Sequence, residues 1–245
     1  MGLAAPRPLS RKLVSLSTLR HDLPELPELD SLFSPEGAIA QAQTLAAQAF
    51  GAAKSWFLVN GSTSGVLAAV LAAVQLWSQQ QAGERGSMQT PVVLLPRNAH
   101  KSAVHALVLS GATPGWLAPE YDDASGISLG IAPCEIERSL KRECGVPLLV
   151  DEAHGGHLHF LPPSSPLAPG EGLANPRSAL SQGADVAVVG SLTQSAMLHA
   201  SDHALASQPR MEESLSRAIE QERPGIRVWV GRELPVGHGK ILYAS

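Results

Sequence analysis

The chain has 245 residues, 44% of them hydrophobic, with 18 basic and 22 acidic side chains for a net charge of −4. That length and apolar share suit one large domain with a substantial core and exclude a globally disordered chain. The slight acidic balance gives no drive toward nucleic acid or anionic lipid, and two cysteines, Cys134 and Cys144, fit unpaired thiols in a reducing, cytoplasmic setting better than a disulfide framework.

In chain order, Met1–Arg20 carries basic residues and no acid, a faint transit-peptide composition without the apolar core of a secretion signal. Gly2 does not read as a myristoylation site, because Pro6 stands where Ser or Thr is wanted. Arg20–Ser34 alternates prolines with acids and continues this extended arm, which covers residues 1–35. Glu36–Phe50 reads as a helix stopped by Gly51. Ser55–Val59 is a buried strand that breaks at Asn60-Gly61 into Ser62-Thr63-Ser64-Gly65, ahead of a helix over Val66–Trp77. The apolar run Val66–Leu76 is too short to span a bilayer and is interrupted by Gln75, so no membrane partner is expected.

Gln79–Thr90 is a polar loop, and Pro91–Leu95 is the next strand. A helix over Ala99–Leu109 follows, with Asn98 as N-cap and Gly111 as its stop. Trp116–Leu117 opens a short strand before the acidic turn Pro119–Asp123, and Ile136–Cys144 is a charged helix. Val146–Val150 is the central strand, Leu161–Pro176 a proline-rich loop, and Ala184–Val189 and Ser195–His199 two more strands. Met211–Glu220 is a helix, while Arg223–Ser245 has no clear period and receives neither element nor function. Strands alternate with helices and nothing repeats, which predicts an α/β, doubly wound, mostly parallel sheet over residues 36–205, followed by a tail, 206–245.

The chemistry concentrates where the central strand runs into Asp151-Glu152-Ala153-His154, because open α/β sheets bind ligands at the carboxyl ends of their strands. Two chemistries could use that carboxylate: a DEAH-type nucleotide hydrolase holding magnesium, and a pyridoxal phosphate (PLP) enzyme holding a pyridine nitrogen. Ser62-Thr63-Ser64 at a strand-to-helix turn suits a phosphate, though an N-cap and tight turn would use the same residues. The lysine of a nucleotide-binding P-loop is absent there, which disfavours the hydrolase. His100 begins a helix at the next strand end and either stacks on an aromatic cofactor or caps the helix. Lys101, about 100° further round that helix, would not face the same way. His154, His157 and His159 match no zinc spacing, so no metal is expected. Asp151 beside a pyridine nitrogen would keep it protonated and make the ring an electron sink.

The segments DLPELPELD, FLVNGSTSG, LPRNAHKSAVHALVLSGATP, PEYD, VDEAHGGHLHF and SLTQSAMLH, from about His21 to about Asp202, together resemble the Orn/Lys/Arg decarboxylase family of fold-type-I PLP enzymes. The resemblance implies a PLP-dependent transferase-like large domain and a carbon-carbon lyase. Such an enzyme decarboxylates a basic amino acid (arginine, lysine or ornithine) in amino-acid metabolism and polyamine biosynthesis, as a cytoplasmic homo-oligomer. It implies Ser62 and Thr63 on the cofactor phosphate with Ser64 nearby, His100 stacked on the ring, Asp151 on the ring nitrogen, and Ala153 and the catalytic candidate His154 close by. Three departures stand against it. GADVAVVGSLTQ passes from Val189 straight to Gly190 without the family's Ser-x-His-Lys segment and its Schiff-base lysine. The strand and P-T-Y-x-G-type loop expected before Val146 are absent, and so is a C-terminal small domain. The expectation is therefore a truncated domain with impaired or no activity. The alternatives are a non-catalytic PLP-binding or partner-binding relative, a decayed gene product and, remotely, the hydrolase.

Overall fold

A computed structural model describes residues 29–81, 90–140, 146–161, 177–190, 196–221 and 238–244, with the backbone alone for Gln221 and 238–244. The chain divides into two units, Met1–Ala42 and Gln43–Ser245.

In the first unit, Asp30 organises the start of helix α1 (Ala38–Phe50). Its carboxylate accepts hydrogen bonds from the N–H groups of Glu36 (2.8 Å), Ile39 (2.7 Å) and Ala40 (3.2 Å), donors that a helix start leaves unsatisfied. Burial acts to raise the Asp30 pKa, but the N–H groups of Glu36, Ala40, Ile39 and Gly37 outweigh it and hold the carboxyl below its ordinary value.

Among its described residues the second unit has nine strands, seven of them in one sheet. In chain order the elements are β1 (Lys54–Leu58), α2 (Gly61–Gln81), β2 (Thr90–Pro96), α3 (Lys101–Ser110), β3 (Thr113–Leu117), the small hairpin β4 (Tyr121–Asp122) and β5 (Ile127–Ser128), and α4 (Pro133–Leu140). There follow β6 (Leu148–Glu152), β7 (Val186–Gly190), β8 (Ala196–Ala200), α5 (Asp202–Ser207), α6 (Met211–Gln221) and β9 (His238–Ala244). The large sheet runs β1-β8-β7-β6-β9-β2-β3. β8 is antiparallel to both β1 and β7, and every other pairing is parallel. The mostly parallel α/β sheet is as predicted.

Burial follows from the strand sequences. Val186–Val189 is buried residue after residue, as an apolar run covered on both faces should be. β2 alternates instead: Val93 and Leu95 join a large core with α2, α3 and α6, while Leu94 joins Leu117 on the other face, under Ile136 and Leu140 of α4. Helices thus cover both faces.

The structure corrects several details. α2 begins at Gly61 rather than Val66, directly from the turn at Gly61 (φ 73°). At 21 residues it is long and apolar enough, by length and composition alone, to cross a membrane, which the run Val66–Leu76 is not. Its apolar side chains instead pack into the core with β1, β6, β7 and β8. β6 is shifted two residues, so Asp151 and Glu152 lie inside the strand. Asn98 does not cap α3; His100 does, while Gly111 (φ 69°) closes the helix in the left-handed conformation expected of it. α5 was not expected, and β9 forms where the sequence shows no period. Residues 1–28, Leu161–Pro176 beyond Leu161, and Ser191–Ser195 of the SLTQSAMLH segment lie outside the described residues.

Candidate functional site

β1, β2, β6 and β7 run in one direction, so their carboxyl ends stand at one rim of the sheet. At the end of β1 the chain enters α2 at once, which places Ser62 and Thr63, both half-buried, in the first helical turn. The N–H groups of that turn have no intrahelical acceptors and sit at the positive end of the helix dipole, an arrangement suited to an anion. Ser64 is different: it is buried, and its hydroxyl donates to the Gly61 carbonyl at 2.8 Å.

At the end of β2, His100 is exposed, and its Nδ1 accepts the Ser102 N–H at 3.3 Å and lies 2.8 Å from the Ser102 hydroxyl. An accepting Nδ1 puts the proton of the neutral ring on Nε2. The histidine is thus a helix cap whose ring plane is held by α3. Lys101 beside it is exposed.

At the end of β6, Asp151 is half-buried and accepts the Ala153 N–H at 3.2 Å. It lines a narrow apolar crevice, with room for little more than a water molecule, together with Val66, Ala69 and Val70 of α2 and Val186 and Val188 of β7. Asp151 therefore lies on the α2 face of the sheet, and Val66 in that lining is one helical turn beyond Ser62. α3 packs into the same core as α2, so His100 also belongs to this face. Ser62, Thr63, His100 and Asp151 share one rim and one face. Ala153 plays a local part, its carbonyl accepting the Gly190 N–H at 3.2 Å. His154 is exposed.

Glu152 points the other way. It accepts the Ala179 N–H at 2.9 Å, and burial pushes its carboxyl above the ordinary range against the pull of that N–H and of His159 and His157. His159 lies 3.1 Å from the Ser178 hydroxyl, and its ring is 5.9 Å from that of Phe50. Among the described residues no group of His, Cys, Asp and Glu is arranged to hold a metal ion. The sequence reading missed the Glu152–Ala179 link and the Asp30 cap. An aspartate shortly before a helix was a signal for the second, while the first depends on a fold contact with no local mark.

The family model for the Orn/Lys/Arg decarboxylase major domain matches residues 11–144. The chain belongs to the Orn/Lys/Arg decarboxylase family. Arginine decarboxylases of Halalkalibacterium halodurans and Bacillus subtilis are each 33% identical over 244 residues, covering 85% of this chain and 45% of theirs. The chain thus spans about half the length of the curated relatives it matches. Among solved structures, the constitutive lysine decarboxylase of Escherichia coli superposes with a TM-score of 0.50 at 20% identity, covering 86% of this chain and 34% of the other. Lysine decarboxylase A of Pseudomonas aeruginosa gives 0.51 at 22% identity, over 81% and 33%. These likenesses show the fold, a mixed α/β sheet of the fold-type-I PLP kind.

The decarboxylase family is PLP-dependent, and the donor set at this rim suits a phosphate-bearing pyridine ring in three respects: an anion-binding helix start, a flat imidazole, and a carboxylate on the same face. The amine is the misfit. The family match stops at residue 144, just before the strand and loop expected ahead of Val146. The lysines within the described residues are Lys54, Lys101 and Lys240. Lys54 opens β1 at the opposite end of the sheet and pairs with Glu212. Lys240 stands opposite Val92, four residues before β2 ends and so roughly 13 Å short of the rim. Lys101 alone of the three is at the rim, on an exposed helix position.

Proposed function

We propose that this chain is a basic amino-acid decarboxylase domain that binds PLP reversibly at the carboxyl rim and turns over arginine, lysine or ornithine little or not at all. The observation that carries the reading is the missing Ser-x-His-Lys segment after Val189, joined to the placement of the described lysines away from the ring position or in solvent. PLP, when bound, supplies an electron sink for loss of carbon dioxide. Ser62, Thr63 and the first-turn N–H groups of α2 hold its phosphate. His100 presents its ring face, and Asp151 keeps the pyridine nitrogen protonated. Ser64 and Ala153 fix the two turns that frame these contacts, and exposed His154 faces the approaching substrate. An amine held in place is worth an effective molarity of roughly 10⁵ M or more, which amines in solution do not supply. A cytoplasmic location, a role in polyamine biosynthesis and homo-oligomeric assembly accompany this reading.

Two measurements test it. Equilibrium dialysis should show PLP uptake that falls at least tenfold in Asp151→Ala; uptake indifferent to that change overturns the cofactor assignment. Carbon dioxide release from the three amino acids at saturating PLP should be near background and rise when a Ser-x-His-Lys segment is inserted after Val189. Robust turnover by the unaltered chain, lost in Lys101→Ala, would show that Lys101 serves as the missing amine.

A further inference from the structure

Asp151 and Glu152 are the last two residues of β6, beside Val188 and Val189 of β7. Successive strand residues point to opposite faces, so while Asp151 meets the rim site on the α2 face, Glu152 lies on the reverse. Strand ends fray where little holds them, and a carboxylate that has to meet one ring atom tolerates little play. The fastening of this end is on the reverse face. The Glu152 carboxylate accepts the Ala179 N–H at 2.9 Å, 27 residues on in the chain, at the start of the turn Leu180–Gln182 that leads toward β7.

The residue before Ala179 is gripped as well. Ser178 is buried, and its hydroxyl lies 3.1 Å from Nδ1 of His159, which sits on the short helical turn Leu158–Phe160. Two consecutive residues on the approach to β7 are thus tied to two points of one segment, Glu152–Phe160. Within that segment the Gly155 N–H donates to the Glu152 carbonyl at 2.9 Å, and the Leu158 N–H to the Gly155 carbonyl at 2.8 Å. A side chain at Gly155 would collide with Cγ and Cδ of Glu152, so the turn is folded against the glutamate. Toward the rim, Asp151 Oδ1 accepts the Ala153 N–H, and the Ala153 carbonyl accepts the Gly190 N–H, each at 3.2 Å. Asp151, Glu152 and Ala153 therefore form one piece, anchored at Ala179 and at Gly190.

We infer that Glu152 is a positioning residue for Asp151: its bond to Ala179 sets where the Asp151 carboxylate stands at the rim. The inference rests on the proposed reading of Asp151 as the partner of the pyridine nitrogen. A charge-assisted hydrogen bond is short and directional, so a displaced carboxylate forfeits much of it. What Glu152 supplies is an acceptor at full glutamate reach. Gln offers a carbonyl oxygen at the same reach, whereas Asp, one methylene shorter, falls short of Ala179. The partner can be removed separately. Ala179 has φ −55°, which suits proline, and Ser178 before it lies outside any helix, so Ala179→Pro deletes the donor and leaves the backbone path intact.

The test compares PLP uptake by variants of the whole chain. Ala179→Pro, Glu152→Ala and Glu152→Asp should each weaken uptake by about fivefold or more, the double change Ala179→Pro with Glu152→Ala no further than either alone, and Glu152→Gln should stay within about twofold of the unaltered chain. Ile219→Ala, a core change in α6, controls for lost stability. In the cofactor-free chain the carbon-13 carboxyl resonance of Asp151 should move in Ala179→Pro while the amides of Val93–Leu95 keep their positions. Uptake by Ala179→Pro equal to that of the unaltered chain, or reduced no more than by Ile219→Ala at equal loss of stability, overturns the inference, as does an unmoved Asp151 resonance. If the unaltered chain takes up no PLP, the cofactor reading fails by itself, and the Asp151 resonance still decides whether Glu152 places that carboxylate.

Discussion

Ser55 and His199 face each other across β1 and β8, with the hydroxyl 2.6 Å from Nδ1 and the imidazole wholly buried. The Phe50 ring stacks on His199 at 4.5 Å, and among the described residues Nε2 has no hydrogen-bond partner. A buried ring with one satisfied nitrogen resists a second proton, and burial followed by repulsion from His159 lowers its pKa from 6.5 to about 4. The folded form therefore holds its proton less tightly than the unfolded chain. Stability contributed by the neutral ring is complete above pH 6.5 and is lost as pH falls toward about 4, by up to about 3 kcal/mol. Glu152 acts in the opposite sense: its raised pKa makes the folded form bind a proton more readily, so it offsets part of that loss just above pH 4.5. Denaturant titrations from pH 7 to 4 should show the decline, and His199→Leu should flatten it. Ser55→Ala, which leaves both ring nitrogens without a partner, should cost about 1–3 kcal/mol at pH 7. At this scale the sequence identified Ser62, Thr63 and Asp151 as rim residues because motif and strand end coincide. It left open whether His100 caps α3 or stacks on a ring, since a histidine before a helix looks the same in either role; the structure shows the cap.

The turn after β6 and the end of β7 cross at close quarters, and this crossing frames Asp151. A methyl group at Gly190 would sit 2.5 Å from the Ala153 carbonyl oxygen, a backbone atom that cannot swing aside. Gly190→Ala should therefore destabilise the chain by about 1–3 kcal/mol through displaced backbone. It should also weaken PLP uptake more than the same loss of stability placed elsewhere, for example by Ser55→Ala. Thermal melts and dialysis on both variants separate the two effects. Strands with continuous apolar runs, such as Val186–Val189, were legible because a strand buried on both faces writes its burial into every position. β6 was found but ended too early, because two carboxylates look like the start of a loop. β9 was not legible at all: a short stretch, His-Gly-Lys-Ile-Leu-Tyr-Ala, has no period of its own, and its extended form comes from the two walls that pair with it.

Within the large sheet, the direction of every described strand but β8 brings the strand carboxyl ends to a single rim, and that arrangement followed from alternation of strands and helices alone. The order of strands did not, because pairing depends on which neighbour is present, and here a late segment stands where an earlier one was expected. One result is a matter of time. During synthesis at about 5–20 residues per second, β2 and β6 leave the ribosome well before β9, and β6 waits roughly 5–20 s for its second neighbour. Throughout that interval two open strand edges face each other in the middle of the nascent sheet. Chains stalled before residue 238 should accordingly bind chaperones or one another, and chains released after residue 244 should do so less. The vulnerable period of this protein's life is then set by the distance in sequence between a wall and the strand that closes it.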